Sequence, residues 1–200
     1  MLVRRGQRLE HFTIAYNALE GLGSIVAGVF AGSIALVGFG VDSIIEVTSA
    51  TALLVRLHAD ADHAHRERSE RITLRIVGIC FLALAAWIAF DSINSLIYRA
   101  PPEHSIPGIV ITALSVVVMP LLSRAKRTIG RAIGSNALVA DAKQTALCTY
   151  LSAITLAGLL LNAMLGWWWA DPVAALVMVP IIIREGLEGL RGEHCDDCAP

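Results

Sequence analysis

Two acidic residues lie four positions apart in the middle of a largely apolar segment, residues 33–57. If this segment is a helix, that spacing places the carboxylates of Asp42 and Glu46 on one face. An ionised side chain at the centre of a bilayer costs at least ~2.5–3.5 kcal/mol on insertion scales, and two like charges also repel each other. Such a pair is tolerable where it is partly protonated, faces a water-filled cavity or binds a cation. The pair therefore predicts a cation or proton site inside a membrane protein.

The composition supports a membrane location for the whole chain. Of its 200 residues, 56% are hydrophobic and 16% are charged, whereas soluble domains carry about 25% charged residues. The net charge of −1 gives no bulk attraction to nucleic acid, so no nucleic-acid partner is expected. The four cysteines are divided between apolar segments and the C-terminal end, which does not indicate a disulfide framework.

Six apolar runs are long enough to cross a bilayer, at about 17–25 residues each. They cover approximately 12–30, 33–57, 72–98, 106–122, 137–168 and 172–190. The fourth run is the weakest, because it is short and contains Pro120. Lys and Arg are concentrated in alternate connectors, the one between the fourth and fifth runs holding Arg124, Lys126, Arg127 and Arg131.

The positive-inside rule then places both termini in the cytoplasm. The sequence predicts an all-α membrane protein with six transmembrane helices in one transport domain, residues 1–192. A short cytoplasmic Cys/His tail, residues 193–200, is expected to follow it.

The fifth run carries a second polar pattern. On a helix, its polar residues form one stripe, which in lipid must face other helices or water: Asp141, Gln144, Thr145, Cys148, Ser152 and Thr155. Hydrogen bonding between helices would explain the Ser, Thr and Gln equally well. Two pairs spaced by four, Asp42 with Glu46 and Gln144 with Cys148, offer four ligands, the number that tetrahedral Zn²⁺ requires. A thiolate also favours a soft or borderline metal.

At these residues the chain resembles the cation diffusion facilitator family. The stretch AGSIALVGFGVDSIIEV is similar to the family's turn into helix two, and ALVADAKQTALC is similar to its entry into helix five; FDSINSLI and ADPVAALVM also fit. Members pair D-x-x-x-D on helix two with H-x-x-x-D or a related motif on helix five. The resemblance therefore assigns Asp42, Glu46, Gln144 and Cys148 to the main metal site.

Three of these positions depart from the family pattern. Glu46 stands where Asp is usual, Gln144 where many zinc members have His, and Cys148 where they have Asp. The family's cytoplasmic metal-binding domain after helix six is not expected here. The resemblance implies a transporter rather than an enzyme, with no required cofactor and a divalent, zinc-like metal as the transported substrate. It also implies proton antiport, a homodimer, and export from the cytoplasm across the cell membrane.

Further residues are possible auxiliary ligands. The loop after the second run and the C-terminal tail combine imidazole, carboxylate and thiol groups that suit Zn²⁺ or a similar ion: His58, Asp60, Asp62, His63, His65, His194, Cys195 and Cys198. A solvated loop and a plain tail explain them equally well. Asp141 is a candidate entrance residue, and Glu20 is a candidate proton relay, gating or packing residue.

Two other functions remain open from the sequence. A membrane metal-binding or sensing protein without transport would fit the loss of the usual His. A thiol-redox enzyme using Cys195 and Cys198 is a weaker alternative, since no second cysteine pair accompanies them.

Overall fold

Six α-helices follow one another in the computed structural model, which describes residues 2–58, 63–99 and 102–191. In chain order they are α1 Leu2–Ala31, α2 Ile34–His58, α3 His63–Tyr98, α4 Ile106–Ile133, α5 Asn136–Leu165 and α6 Ala170–Arg191. The described ranges contain no strand. Five of the helices, α1 to α5, are long and apolar enough to cross a membrane. The all-α, six-helix prediction is confirmed, whereas the cytoplasmic location of the termini stays a prediction.

Polar and apolar side chains are distributed in the reverse of the soluble pattern. Leu19, Phe30 and Met164 are 75%, 82% and 78% exposed, while Glu46 and Lys126 are 1% and 0% exposed. In water such a molecule would expose its apolar area and bury its charges, which is unfavourable on both counts. In lipid the same arrangement is favourable, because apolar side chains face the acyl chains and polar groups find partners inside. The protein is a multi-pass integral membrane protein.

Close contacts between helices depend on glycines. The most extensive contacts join α1 with α2, α4 with α5 and α3 with α6, and α2 also touches α3, α5 and α6. A Cβ added at Gly40 would lie 2.9 Å from the carbonyl oxygen of Gly21, and one added at Gly78 would lie 2.7 Å from that of Gly186. Helix packing in lipid depends on such close approach of backbones. It brings α2 to the centre of the bundle.

The fourth helix is longer than the sequence predicted. It begins after Ser105, whose hydroxyl accepts a hydrogen bond from the Gly108 amide, continues through Pro120 and ends at Gly134, with φ 65°. Proline is tolerated inside membrane helices because neighbouring groups satisfy the freed carbonyl. The prediction that four basic residues form a connector is therefore wrong, because all four lie in the last turns of α4. Lys126 is buried there, whereas Arg124, Arg127 and Arg131 are exposed.

The first residues of α2 are held by a carboxylate from α6. Asp171 accepts hydrogen bonds from the amides of Ile34, at 2.9 Å, and Ala35, at 3.5 Å, and from the hydroxyl of Ser33. The first amides of a helix have no partner within it, so this side chain satisfies donors that would otherwise be buried and unpaired. The contact fixes the start of α2 against α6.

We expect Asp171→Ala to lower the free energy of unfolding by about 1–3 kcal/mol, because buried donors lose their acceptor. Thermal unfolding of the detergent-solubilised protein, followed by tryptophan fluorescence, measures the effect. Glu103→Ala removes an exposed carboxylate near the same helix ends and should leave Tm unchanged. Equal Tm values for the wild type and Asp171→Ala would contradict the capping role.

Candidate cation site

Helices α2 and α5 meet at three of the four predicted ligands. The Cys148 Sγ lies 3.1 Å from Asp42 Oδ2 and 2.8 Å from Glu46 Oε2, with the thiol as donor. The three side chains are almost completely buried. At 1.5 Å per residue they lie roughly 12–18 Å from the first residue of their helix, which is close to the middle of α2 and well inside α5. The helices α2 and α5 thus meet deep in the bundle at these three side chains, while their role as metal ligands stays a prediction.

Gln144 faces α2 but has a different partner. Its Oε1 accepts a hydrogen bond from Ser49 Oγ at 3.0 Å, and Ser49 lies about one turn beyond Glu46 on α2. The side chain is half-buried. Gln144 is thus a neighbour of the three-residue cluster rather than part of its hydrogen bonding, and its role as a fourth ligand stays a prediction.

The polar stripe of α5 faces the interior, as its spacing predicts. Four of its members have relative exposures of 2% or less, and Asp141 has 6%. Below Cys148, the hydroxyl of Thr145 donates to Glu46 Oε1 at 2.7 Å. Above it, Ser152 Oγ lies 3.2 Å from Ser115 Oγ on α4. The stripe therefore contacts both α2 and α4.

The distances from Cys148 Sγ to the two carboxylate oxygens are those of hydrogen bonds. Zn–S and Zn–O bonds of about 2.3 and 2.1 Å separate sulfur and oxygen by roughly 3.6 Å in a tetrahedron. Within the described ranges, no group of three or more His, Cys, Asp or Glu side chains has the spacing to hold a metal ion as it stands. Because the thiolate is the ligand form of cysteine, an ion at Cys148 requires loss of the thiol proton. It also requires the S···O distances to open by roughly 0.5–0.8 Å.

Two charged residues that the sequence analysis did not select extend the site. Lys126 on α4 is fully buried; its ammonium binds Asp141 Oδ2, donates to Thr145 Oγ1 at 3.3 Å, and lies 3.4 Å from Glu10 Oε2 on α1. Glu10 is also fully buried. The signal for Lys126 was its register with the buried residues of α4, Met119, Ser123 and Gly130. Glu10 gave no such signal, because it follows a basic N-terminal stretch.

Glu20 contacts α2 next to the cluster. Its Oε2 accepts a hydrogen bond from Ser43 Oγ at 3.1 Å, and Ser43 is adjacent to Asp42 in the chain. Asn17 and Ser24, on the same face of α1, are also buried. The contact supports the packing or gating interpretation, and a proton relay through Glu20 stays a prediction.

Asp60, Asp62, His194, Cys195 and Cys198 lie outside the described residues, as do the side chains of His58, His63 and His65.

The described helices thus form a membrane bundle that buries two carboxylates and a thiol against one another between α2 and α5, the side chains of a candidate cation site. The cation efflux transmembrane domain matches residues 12–192 of the chain. The chain therefore belongs to the cation efflux family, which transports cations.

Its curated relatives include proteins named as transporters. An uncharacterised transporter of Methanocaldococcus jannaschii is 25% identical over 86% of this chain and 62% of its own length. The cation-efflux pump FieF of Shewanella oneidensis is 22% identical over 82% and 57%, and transmembrane protein 163 of Xenopus laevis is 26% identical over 64% and 46%. The chain thus spans about half to three-fifths of the length of these relatives.

Replacement of Cys148 should separate its donor role from its packing role. In Cys148→Ala two buried carboxylates lose a donor, so we expect the free energy of unfolding to fall by about 1–3 kcal/mol. Cys148→Ser keeps a donor and should lose less. Thermal unfolding measures both, and Cys80→Ala, at an exposed cysteine, is the matched control. The hydrogen-bonded geometry would be contradicted if the Ala and Ser variants were equally stable.

Proposed function

We propose that this protein is a secondary transporter that exports a divalent transition-metal cation, zinc-like, from the cytoplasm in exchange for protons. The observation that supports it is the contact of Cys148 Sγ with Asp42 Oδ2 and Glu46 Oε2 between α2 and α5. Membership of the cation efflux family and the cation-efflux pump among its relatives agree with this function.

The chemistry of the three ligands favours a soft or borderline divalent ion. Two carboxylates and a thiolate carry up to three negative charges, which a divalent cation largely neutralises inside a low-dielectric bundle. Sulfur selects Zn²⁺ or Cd²⁺ over Mn²⁺ and Mg²⁺, which prefer oxygen ligands. Gln144 lies one turn from Cys148 on α5, and its carbonyl oxygen is the proposed fourth ligand.

Proton exchange follows from the same atoms. The ligands must be deprotonated to bind a metal, so binding releases protons and protonation releases the metal. The thiol of Cys148 has one hydrogen and two carboxylate acceptors within reach, and that hydrogen would have to leave before an ion binds. In the proposed cycle, α2 and α5 open the cluster first to the cytoplasm and then to the opposite side. The functional unit is a homodimer with cytoplasmic termini.

A second candidate is a membrane metal-binding or sensing protein without transport. The hydrogen bond of Gln144 with Ser49 favours it, because only Asp42, Glu46 and Cys148 then remain as ligands. Tetrahedral Zn²⁺ takes four ligands. Saturable binding of Zn²⁺ by the purified protein, without flux into proteoliposomes under an imposed pH gradient, would identify this function and reject transport.

Asp42→Asn should abolish flux, because an amide neither neutralises the ion nor exchanges a proton for it. We expect Zn²⁺ uptake into proteoliposomes with an imposed pH gradient to fall at least about tenfold, the loss for ~1.4 kcal/mol of interaction. Glu103→Gln replaces an exposed carboxylate in the connector between α3 and α4 and should transport normally. Wild-type flux in Asp42→Asn would rule out the proposed role of this carboxylate.

The sulfur of Cys148 should set the metal ranking. Uptake across Zn²⁺, Cd²⁺, Co²⁺, Mn²⁺ and Fe²⁺ should favour Zn²⁺ or Cd²⁺ in the wild type and shift towards harder ions in Cys148→Asp. Gln144→His should tighten Zn²⁺ binding by supplying a nitrogen donor. An unchanged ranking in both Cys148→Ser and Cys148→Asp would show that sulfur is not a ligand.

A further inference from the structure

A buried ammonium lies between two carboxylates at one end of the bundle. We name Glu10, Lys126 and Asp141 the Lys126 cluster; it joins α1, α4 and α5 through the ion pairs of Lys126 with the other two residues. Glu10 and Asp141 lie roughly 12 and 8 Å from the starts of their helices, and Lys126 lies roughly 10 Å from the end of α4. These three helix ends lie on the same side of the bundle. The Lys126 cluster is thus nearer to that surface than Cys148, which is roughly 18 Å from the start of α5.

The Lys126 cluster has more acceptors than its ammonium satisfies. Glu10 Oε1 and Asp141 Oδ1 are buried and have no hydrogen-bond partner among the described residues, and Glu10 Oε2 has only the 3.4 Å ion pair with Lys126. A buried acceptor left unpaired costs about 1–3 kcal/mol, and more when it is charged. Ionised, the two carboxylates carry two negative charges against one positive charge. A divalent cation would neutralise both and bind the oxygens that the ammonium leaves free.

The Lys126 cluster is connected to the three-residue cluster by one hydroxyl. Thr145 Oγ1 accepts from Lys126 at 3.3 Å and donates to Glu46 at 2.7 Å. The Thr145 oxygen therefore contacts both the Lys126 cluster and Glu46. It is placed to be a third oxygen ligand beside Glu10 and Asp141. We call Asp42, Glu46 and Cys148 the inner site. An ion at the Lys126 cluster would be separated from Glu46 of the inner site by the hydroxyl of Thr145 alone.

We propose that Glu10, Asp141 and Thr145 form a second divalent-cation site, in which the Lys126 ammonium is the built-in competitor that an entering ion displaces. The description of this site as an entry site rests on the proposed transport function. The existence of the cation site rests on the three side chains alone. Hard oxygen ligands make it less selective than the sulfur-containing site.

The test counts bound ions in a background whose inner site, formed by Asp42, Glu46 and Cys148, has lost the Asp42 carboxylate. Purified Asp42→Asn and Asp42→Asn/Lys126→Met proteins are dialysed against Zn²⁺ or Cd²⁺, and bound metal is measured by mass spectrometry. Removal of the competing ammonium leaves two uncompensated carboxylates. The double variant should therefore bind one ion at the Lys126 cluster at least about tenfold more tightly than the Asp42→Asn protein does. Adding Asp141→Asn should abolish that gain. Arg127→Met, at an exposed arginine of the same helix, should produce no gain.

Equal binding by Asp42→Asn and Asp42→Asn/Lys126→Met would overturn the proposal, as would a gain that survives Asp141→Asn. If Lys126→Met does not fold, Lys126→Arg decides the matter in the wild-type background. A guanidinium pairs with carboxylates through two parallel hydrogen bonds and is harder to displace, so KM for Zn²⁺ uptake should rise about fivefold or more. In a folded Lys126→Arg protein that transports Zn²⁺, an unchanged KM would overturn the proposal that an entering ion displaces the Lys126 ammonium.

The two proposals fail separately. Absence of Zn²⁺ flux in the wild type would refute transport, whereas the ion count in the Asp42→Asn background would still decide whether the Lys126 cluster binds a cation.

Discussion

Carboxylates buried away from bulk water must obtain their hydrogen-bond donors and counter-charges from the protein. In this bundle, those partners lie on neighbouring helices and hold the helices together. Asp171 is satisfied by the first amides of α2, and this contact fixes that helix against α6. Asp141 is paired with Lys126. Asp42 and Glu46 receive only neutral donors in the described ranges, the thiol of Cys148 and, for Glu46, the hydroxyl of Thr145. Asp42 and Glu46 depend on one thiol donor between them and form no ion pair within the described ranges, which is why they are the carboxylates proposed to exchange protons for a cation.

The number and type of the helices could be predicted because the length and composition of an apolar run indicate a helix whatever its neighbours are, and by the same criteria α1 to α5 are long and apolar enough to cross a membrane. The extent of α4 could not, because hydropathy treats every basic residue alike. The exposed arginines beyond residue 122 and the buried Lys126 lie on one continuous helix. The register of Lys126 with residues 119, 123 and 130 indicates which face of α4 it lies on, but its partners Asp141 and Glu10 lie on neighbouring helices, and a single sequence does not reveal that pairing.

The inner site was predictable to the level of helix faces. A spacing of four residues places Asp42 with Glu46, and Gln144 with Cys148, irrespective of the tertiary structure. Which residue of α5 meets which residue of α2 depends on the offset of the two helices along their axes. That offset is set by long-range contacts such as the Asp171 cap of α2 and the approach of Gly40 to Gly21. For this reason Cys148 contacts both carboxylates, whereas Gln144 contacts Ser49 one turn further on.

Thr145 couples the two layers of the site. Its hydroxyl has one hydrogen and two acceptors within reach, Glu46 Oε1 at 2.7 Å and its own helix carbonyl at Asp141 at 3.1 Å. Its oxygen meanwhile accepts from Lys126. If an ion binds Glu46, the Thr145 hydroxyl can donate its hydrogen to the Asp141 carbonyl instead of to the Glu46 carboxylate, so it loses no hydrogen bond. In the proposed cycle, occupancy of the inner site would thus alter the orientation of a hydroxyl whose oxygen contacts Lys126, because Thr145 touches both Glu46 and Lys126.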